Sequence, residues 1–168
     1  MTNATNNPSF QPVQSALIAR KRNLPHWQMG GAVYFVTFRT NDLELLPLAR
    51  KALLDICRFY DGERYVLWSA VVMPDHIHLL IQPREIEKGK WHSLTKILHS
   101  IKSFSAKEIN RLLNRKGRVW QEEFFDRIIR DEEEFLEKWH YIRYNPVKKG
   151  LVEKAENWIG LYERDKFR

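Results

Sequence analysis

Cysteine is almost absent from this sequence, because Cys57 is the single thiol among 168 residues. One cysteine cannot form a disulfide within the chain, and it cannot build a zinc centre from several thiolates. Cys57 also falls among apolar residues at helical spacing, which predicts a thiol buried in the core. Small folds that depend on internal disulfides or on thiolate zinc clusters are therefore excluded.

Long hydrophobic runs are missing as well. No segment comes near the roughly 20 apolar residues that a membrane-spanning helix requires. The polar residues 1–7 lead into no apolar stretch of the kind that signal peptides contain. We therefore expect a cytoplasmic protein without a membrane partner.

Acidic residues are fewer than basic ones. The chain has 28 Lys and Arg against 21 Asp and Glu, which gives a net charge of +7 and an isoelectric point near 9.6. This surplus favours a polyanionic partner, with nucleic acid first and an anionic membrane surface second. Residues 1–16 are polar and without apolar periodicity, which predicts a disordered tail. The remaining residues, 17–168, have the length of a single domain.

The spacing of apolar residues predicts the order of the secondary structure. The predicted strands, rich in β-branched and aromatic residues, are 32–39, 65–73, 76–82 and 119–129. The predicted helices, with apolar residues at helical spacing, are 43–60, 94–113 and 131–146. Residues 84–90 are charged and are predicted to form a loop. This order predicts an α+β fold with a ferredoxin-like four-stranded antiparallel sheet and an added C-terminal helix.

Two histidines stand one residue apart in the third predicted strand. Because side chains alternate along a strand, His76 and His78 share one face, and Ile77 lies on the other. Two neutral imidazoles at this spacing can hold a divalent cation. The alternative is a pair of half-buried strand histidines, one bonded to a backbone carbonyl and one facing solvent.

A second group of polar residues lies on the last predicted helix. Tyr141 and Asn145 are four residues apart and share a face, with Tyr144 close to that face. A phenol can act as a nucleophile, and an amide oxygen can bind a metal. The alternative is that Tyr141 only packs its ring, and that Asn145 caps a turn begun by Pro146.

A basic cluster near the start of the predicted domain precedes an aromatic residue. Arg20, Lys21 and Arg22 are followed by Trp27. Cations beside an aromatic ring suit a phosphate clamp with a platform for a base. A solvated surface patch is the alternative.

Several motifs resemble, in the same order along the chain, those of the REP-associated tyrosine transposases, which are single-tyrosine HUH nucleases. The likeness spans about residues 20 to 153. The matching segments are residues 25–27, 34–39, 72–80, 120–122, 125–127 and 141–152. Asp75 and Lys149 stand where that family commonly has an asparagine and a small residue, and we expect neither to touch the chemistry.

The resemblance implies a specific site and reaction. His76, His78 and Asn145 would hold Mg²⁺ or Mn²⁺, and Tyr141 would attack single-stranded DNA beside a hairpin. The product would be a 5′-phosphotyrosine intermediate and a free 3′-OH, from which strands can be rejoined. By analogy, the DNA-binding residues would be Arg20, Lys21, Arg22, Trp27, Arg127, Arg130, Lys148 and Lys149. A monomer and a homodimer both stay open.

Two other functions share some of these features. The strand and helix order is also that of RNA-recognition modules, which bind single strands without catalysis. The sequence contains no strand segment of alternating glycine and aromatic residues like the one those modules use. A metallohydrolase with an activated water would need more carboxylates near His76 and His78 than the sequence offers.

Overall fold

The structure is a computed structural model, and it describes residues 17–20 and 26–165. Its strands are β1 (Leu17–Arg20), β2 (His26–Met29), β3 (Tyr34–Arg39), β4 (Tyr65–Val72), β5 (His76–Pro83), β6 (Glu85–Glu87), β7 (Lys90–Trp91), β8 (Phe125–Ile128) and β9 (Leu161–Glu163). Its helices are α1 (Pro47–Arg58), α2 (Leu94–Leu112) and α3 (Glu132–Lys148), with a short 3₁₀ turn at Ala155–Asn157. Of the helices in these described residues, none is long and apolar enough to cross a membrane. The predicted tail, residues 1–16, lies outside the described residues.

The main sheet is antiparallel and has the strand order β8-β3-β5-β4-β9. Its first four strands have the ferredoxin-like arrangement, so the predicted fold class is confirmed. The sheet has five strands, however, because Leu161–Glu163 pairs with the middle of β4. This three-residue segment is too short to be recognised by its periodicity.

The helices cover both faces of the sheet. Helices α1 and α2 enclose one apolar core, which contains Leu53, Leu98 and the fully buried thiol of Cys57. Helix α3 covers part of the other face, where Phe135 packs edge-on against Trp68 with ring centroids 5.5 Å apart. Burial of each such side chain contributes on the order of 2 kcal/mol. The central strand β5 is therefore buried on both faces, and α3 is held against it.

The predicted loop 84–90 and the predicted extent of the strand 119–129 were wrong. Residues 84–90 include β6 and most of the short hairpin that it forms with β7. The predicted strand 119–129 contains a regular strand only at Phe125–Ile128, and Trp120 makes an isolated bridge. The indole of Trp120 donates a hydrogen bond to Ser105 on α2, which directs this segment toward the helix.

Helix α3 begins where it was predicted and ends later. Asp131 caps it by accepting a hydrogen bond from the backbone N–H of Glu134. The helix then continues through Pro146 to Lys148, although a proline normally disfavours helical geometry in its predecessor. The helix is closed by hydrogen bonds from the backbone N–H of Lys149 to Asn145 and of Leu151 to Pro146. Asn145 is therefore a helical residue whose side chain is held on a rigid element.

Candidate active site

Strand β5 places His76 and His78 together on one face of the sheet. Their ring centroids lie 4.7 Å apart, with the ring planes at 71°. In the antiparallel register His78 is opposite Thr37 of β3, and His76 is opposite Arg39. Both imidazoles are buried, with relative exposures of 7% and 5%. The alternative prediction, in which one of the two histidines faces solvent, is therefore wrong.

A threonine fixes the orientation of the second histidine. The hydroxyl oxygen of Thr37 lies 2.7 Å from Nδ1 of His78. The other ring nitrogen, Nε2, is buried and makes no hydrogen bond. An unpaired buried polar atom costs about 1 to 3 kcal/mol, so it calls for a ligand that the polypeptide does not supply.

A carboxylate fixes the orientation of the first histidine. Oδ1 of Asp75 lies 2.6 Å from Nδ1 of His76, and Oδ2 of Asp75 accepts a hydrogen bond from Arg39 at 3.2 Å. The expectation that Asp75 stands apart from the site was therefore wrong. A carboxylate that accepts from Nδ1–H leaves Nε2 as the coordinating nitrogen, as in many histidine metal sites.

The surroundings keep both imidazoles neutral. Burial, followed by the charges of His76 and Arg39, lowers the pKa of His78 from 6.5 to about 3. Burial also lowers the pKa of His76, where Lys149 and Arg39 add to the effect and Asp75 partly opposes it. A neutral imidazole is the form that binds a metal ion.

Helix α3 brings Tyr141 to the histidine pair. The ring of Tyr141 meets that of His78 edge-on, with centroids 5.1 Å apart, and its exposure is 40%. Phe35 of β3 stacks on His78 at 5.2 Å and touches the Tyr141 ring at 5.9 Å. The Tyr141 ring therefore lies beside the imidazole of His78 and remains open to a substrate.

Asn145 lies one turn further along the same face of α3. Its side chain is buried, and its Oδ1 atom makes no hydrogen bond. It is therefore not the cap of a turn at Pro146. Tyr144, the other phenol on this helix, is exposed, and its ring stacks on His140 with centroids 6.2 Å apart.

These residues fit a small divalent cation. The buried Nε2 of His78 and the buried Oδ1 of Asn145 are both unpaired. Asp75 contacts Nδ1 of the neighbouring His76, so the Nε2 atom of His76 is the one left for a metal. Imidazole nitrogens and an amide oxygen are suitable ligands for Mn²⁺ or Mg²⁺. Among the described residues, no group of three His, Cys, Asp or Glu side chains is placed to hold a metal. The unpaired amide oxygen of Asn145, on the same helix face as Tyr141, is the third ligand that the resemblance predicts.

The predicted DNA-binding residues in or next to β8 and α3 differ in their surroundings. Arg127 and Arg130 both pair with the buried Glu134, at 2.6 and 3.1 Å, although the first contact lacks hydrogen-bond angles. Burial would raise the pKa of Glu134, but Arg130 and Arg127 lower it overall. Lys148 and Lys149 are exposed at the end of α3.

The remaining predicted DNA-binding residues are near the start of the chain. Arg20 and Trp27 fall in β1 and β2, which pair as a two-stranded sheet. Their side chains, with Lys21 and Arg22, lie outside what the structure describes. The roles predicted for these four residues stay predictions.

Three residues at the site, and one that pairs with two of the predicted DNA-binding arginines, were not identified from the sequence. Thr37 and Phe35 were read only as strand residues, and Glu134 only as part of an acidic helix start. Lys138 was not considered, yet its Nζ atom lies 5.7 Å from the centre of the Phe35 ring, one helical turn before Tyr141. The alternation of Phe35 and Thr37 along β3 was visible, but their pairing with His78 depends on the register between two strands.

The chain belongs to the IS200-like transposase family. The model of this family, described as "Transposase IS200 like", matches residues 47–145. A protein of Haemophilus influenzae assigned as a REP-associated tyrosine transposase is 30% identical over 147 residues, which cover 80% of this chain and 82% of the relative. The solved structure of the REP-associated tyrosine transposase bound to a REP hairpin has a similar fold, with a TM-score of 0.64 and 22% identity. That similarity covers 82% of this chain and 80% of the other. The resemblance found in the sequence motifs is thus confirmed.

Proposed function

We propose that this transposase cleaves single-stranded DNA through a covalent bond to Tyr141. The observation that carries the proposal is the contact between the Tyr141 ring and His78, whose Nε2 atom is buried and unpaired. The unpaired Oδ1 of Asn145 lies one helical turn from Tyr141 on the same face of α3. A nucleophile beside a set of unsatisfied ligand atoms suits phosphoryl transfer.

In the proposed step, the phenolic oxygen of Tyr141 attacks a phosphorus atom of the DNA backbone. A bond forms between the tyrosine oxygen and phosphorus, and the bond from phosphorus to the 3′ oxygen breaks. The phenol loses its proton, and the departing 3′ oxygen gains one. The phosphodiester energy is kept in the phosphotyrosine, so a second 3′-OH can reverse the attack and join a strand.

The chain's own residues would prepare this step. Thr37 and Asp75 orient the two imidazoles, and Phe35 supports the rings of His78 and Tyr141. Mg²⁺ or Mn²⁺ held by His76, His78 and Asn145 would polarise a phosphate oxygen. Lys138 is packed over Phe35 and paired with the exposed carboxylate of Glu137 at 2.8 Å, so it would place only partly compensated positive charge near the phenolate that develops on Tyr141.

The proposed substrate is a DNA hairpin with a single-stranded flank. The similar solved transposase is bound to a REP hairpin, and the net charge of +7 suits a polyanion. Tyr141 reaches the histidine pair of its own chain, so one protomer holds all the proposed catalytic groups. This arrangement supports activity as a monomer, and we propose no obligate dimer.

The test is the formation of a covalent adduct. Labelled hairpin oligonucleotides with single-stranded flanks are incubated with the protein and Mn²⁺ and resolved on a denaturing gel. The wild type and Tyr144→Phe should form a slow-migrating adduct, whereas Tyr141→Phe should form none and keep its hairpin affinity. Cleavage without an adduct would indicate a hydrolase, and binding without cleavage a non-catalytic module.

A further inference from the structure

Phe125 is an exposed aromatic residue on the face of the sheet that carries the histidine pair. It begins β8 and is 58% exposed. The register places it opposite Thr37, which is itself opposite His78 in the next strand. Directly opposite residues of antiparallel strands share a face. Phe125 is therefore about 10 Å from His78, two strand spacings across the sheet.

The fold does not need this ring for its core. The adjacent Phe124 is buried in the α1 and α2 core, and Ile128 packs against the same core from the other face of β8. Phe125 is part of neither apolar cluster in the described residues. Its aromatic area is thus presented to solvent beside the proposed catalytic groups.

Two guanidinium groups flank Phe125. Arg127 is two residues further along β8 and shares its face, and Arg39 is two residues beyond Thr37 on β3. Both arginines are about half-exposed, and each is oriented by a carboxylate, Glu134 for Arg127 and Asp75 for Arg39. An exposed ring between oriented cations is the composition that single-stranded nucleic acid binds, with bases on the ring and phosphates on the cations.

We propose that Phe125 stacks on a base of the substrate strand close to the phosphate that Tyr141 attacks. Arg39 and Arg127 bind phosphates on either side of that base. This inference rests on the proposed function and adds a subsite to it. Stacking tolerates any base, so the subsite strengthens binding of the single-stranded flank without selecting its sequence.

The experiment measures affinity for two oligomers that differ only in their bases. One is a fluorescein-labelled oligothymidylate of about 12 nucleotides, within the usual range of single-strand site sizes. The other has the same length and phosphates but abasic sugars throughout. Both are titrated by fluorescence anisotropy at one salt concentration, because phosphate contacts are salt-dependent. The background is Tyr141→Phe, which prevents cleavage during the titration.

The matched control is Phe104→Ala on α2. Phe104 is 56% exposed and has Lys107 5.9 Å from its ring, but it lies on the opposite side of the sheet. Phe125→Ala should weaken binding of oligothymidylate by about 5- to 150-fold and leave the abasic oligomer unchanged. Phe125→Tyr should keep the affinity of the Tyr141→Phe parent, and Phe104→Ala should match that parent on both oligomers.

Two results would overturn the subsite. In the first, Phe125→Ala has the same affinity for oligothymidylate as Phe104→Ala. In the second, Phe125→Ala weakens binding of the abasic oligomer as much as binding of oligothymidylate, which would mean that Phe125 only supports Arg127. The adduct assay separates this inference from the proposed function. If the wild type forms the adduct and Phe125→Ala does not change the affinity, only the proposed subsite is rejected. A base-dependent loss without any adduct would keep the subsite and remove the catalytic role.

Discussion

The hydroxyl oxygen of Thr37 and Nδ1 of His78, 2.7 Å apart, join two neighbouring strands at the centre of the candidate active site. This contact uses one ring nitrogen of His78 and leaves Nε2 buried without a partner. When Nδ1–H donates to the hydroxyl, Nε2 carries the lone pair that a metal requires. The threonine therefore fixes the direction of the His78 ring, and its hydroxyl can accept the hydrogen bond of the tautomer that a metal requires.

Loss of this hydroxyl should weaken metal binding. Thr37→Val keeps the branched shape that suits the strand but removes the hydrogen-bond partner of Nδ1. We expect Mn²⁺ affinity to fall by about 10- to 100-fold, as is typical when the group orienting a metal-binding histidine is lost. Isothermal titration calorimetry with Mn²⁺ measures the change.

Thr37→Ser is the control for this prediction, since it retains the hydroxyl. It should bind Mn²⁺ with nearly the wild-type affinity. Equal affinities for the valine and serine variants would mean that the hydroxyl does not orient His78 for a metal.

Asp75 should have a comparable role for His76. Asp75→Ala removes the oxygen that lies 2.6 Å from Nδ1 of His76, and it also leaves Arg39 without its carboxylate. Adduct formation should slow by about 10- to 100-fold. Asp75→Asn retains an oxygen acceptor at this position and should slow the reaction by only a few fold. A single-turnover gel assay at saturating Mn²⁺ compares the two rates, and identical rates would argue against the orienting role.

The sequence predicted the elements that its own periodicity encodes. The alternation in β5 indicated that His76 and His78 share a face, and the four-residue spacing on α3 indicated the same for Tyr141 and Asn145. Local patterns contain no information on the register that pairs Thr37 with His78. They also cannot place α3 over the sheet, because that position depends on the packing of residues distant in sequence, such as Trp68 and Phe135.

The role of Glu134 also could not be predicted from local sequence patterns. In the sequence it belongs to an acidic run at the start of a helix, where it favours the helix dipole. In the fold it is buried, caps the backbone N–H of Arg130 and pairs with two guanidinium groups. Its neighbours Glu132 and Glu133 are exposed. The start of α3 was predicted correctly, but the pairing of Glu134 with Arg127 depends on how α3 packs beside β8, and local patterns do not contain that information.

Replacement of Glu134 should destabilise the protein. Glu134→Gln keeps the size of the side chain but removes the negative charge that Arg127 and Arg130 share. We expect the free energy of unfolding to fall by about 1.5 to 3 kcal/mol, which is the usual contribution of a hydrogen bond to a charged group. Glu133→Gln, one residue earlier and exposed, should change it by less than about 0.5 kcal/mol. Urea unfolding at neutral pH measures both, and equal stabilities would show that the buried carboxylate contributes nothing.

The depressed pKa of His78 should make the metal-free protein less stable in acid. Burial lowers this pKa from 6.5 to about 3, so between these values the unfolded chain binds a proton that the folded chain does not. Stability therefore rises with pH through this window, and the His78 contribution is complete only above pH 6.5. His78→Asn has no imidazole to protonate but can still bond to Thr37, so it should lose less stability than the wild type as the pH falls.

The measurement is urea unfolding in EDTA at about pH 7 and about pH 4.5, the region where carboxylates and histidines exchange protons. The quantity to compare is the stability difference between wild type and His78→Asn, which should shift in favour of the variant at the lower pH. His99→Asn, which removes an exposed imidazole from α2, serves as the control substitution. If the difference between wild type and His78→Asn stays constant across this range, His78 is not held neutral by its burial. An imidazole with the ordinary pKa of 6.5 is still mostly unprotonated at neutral pH, so that result would remove the resistance of the site to acid and leave metal binding at pH 7 possible.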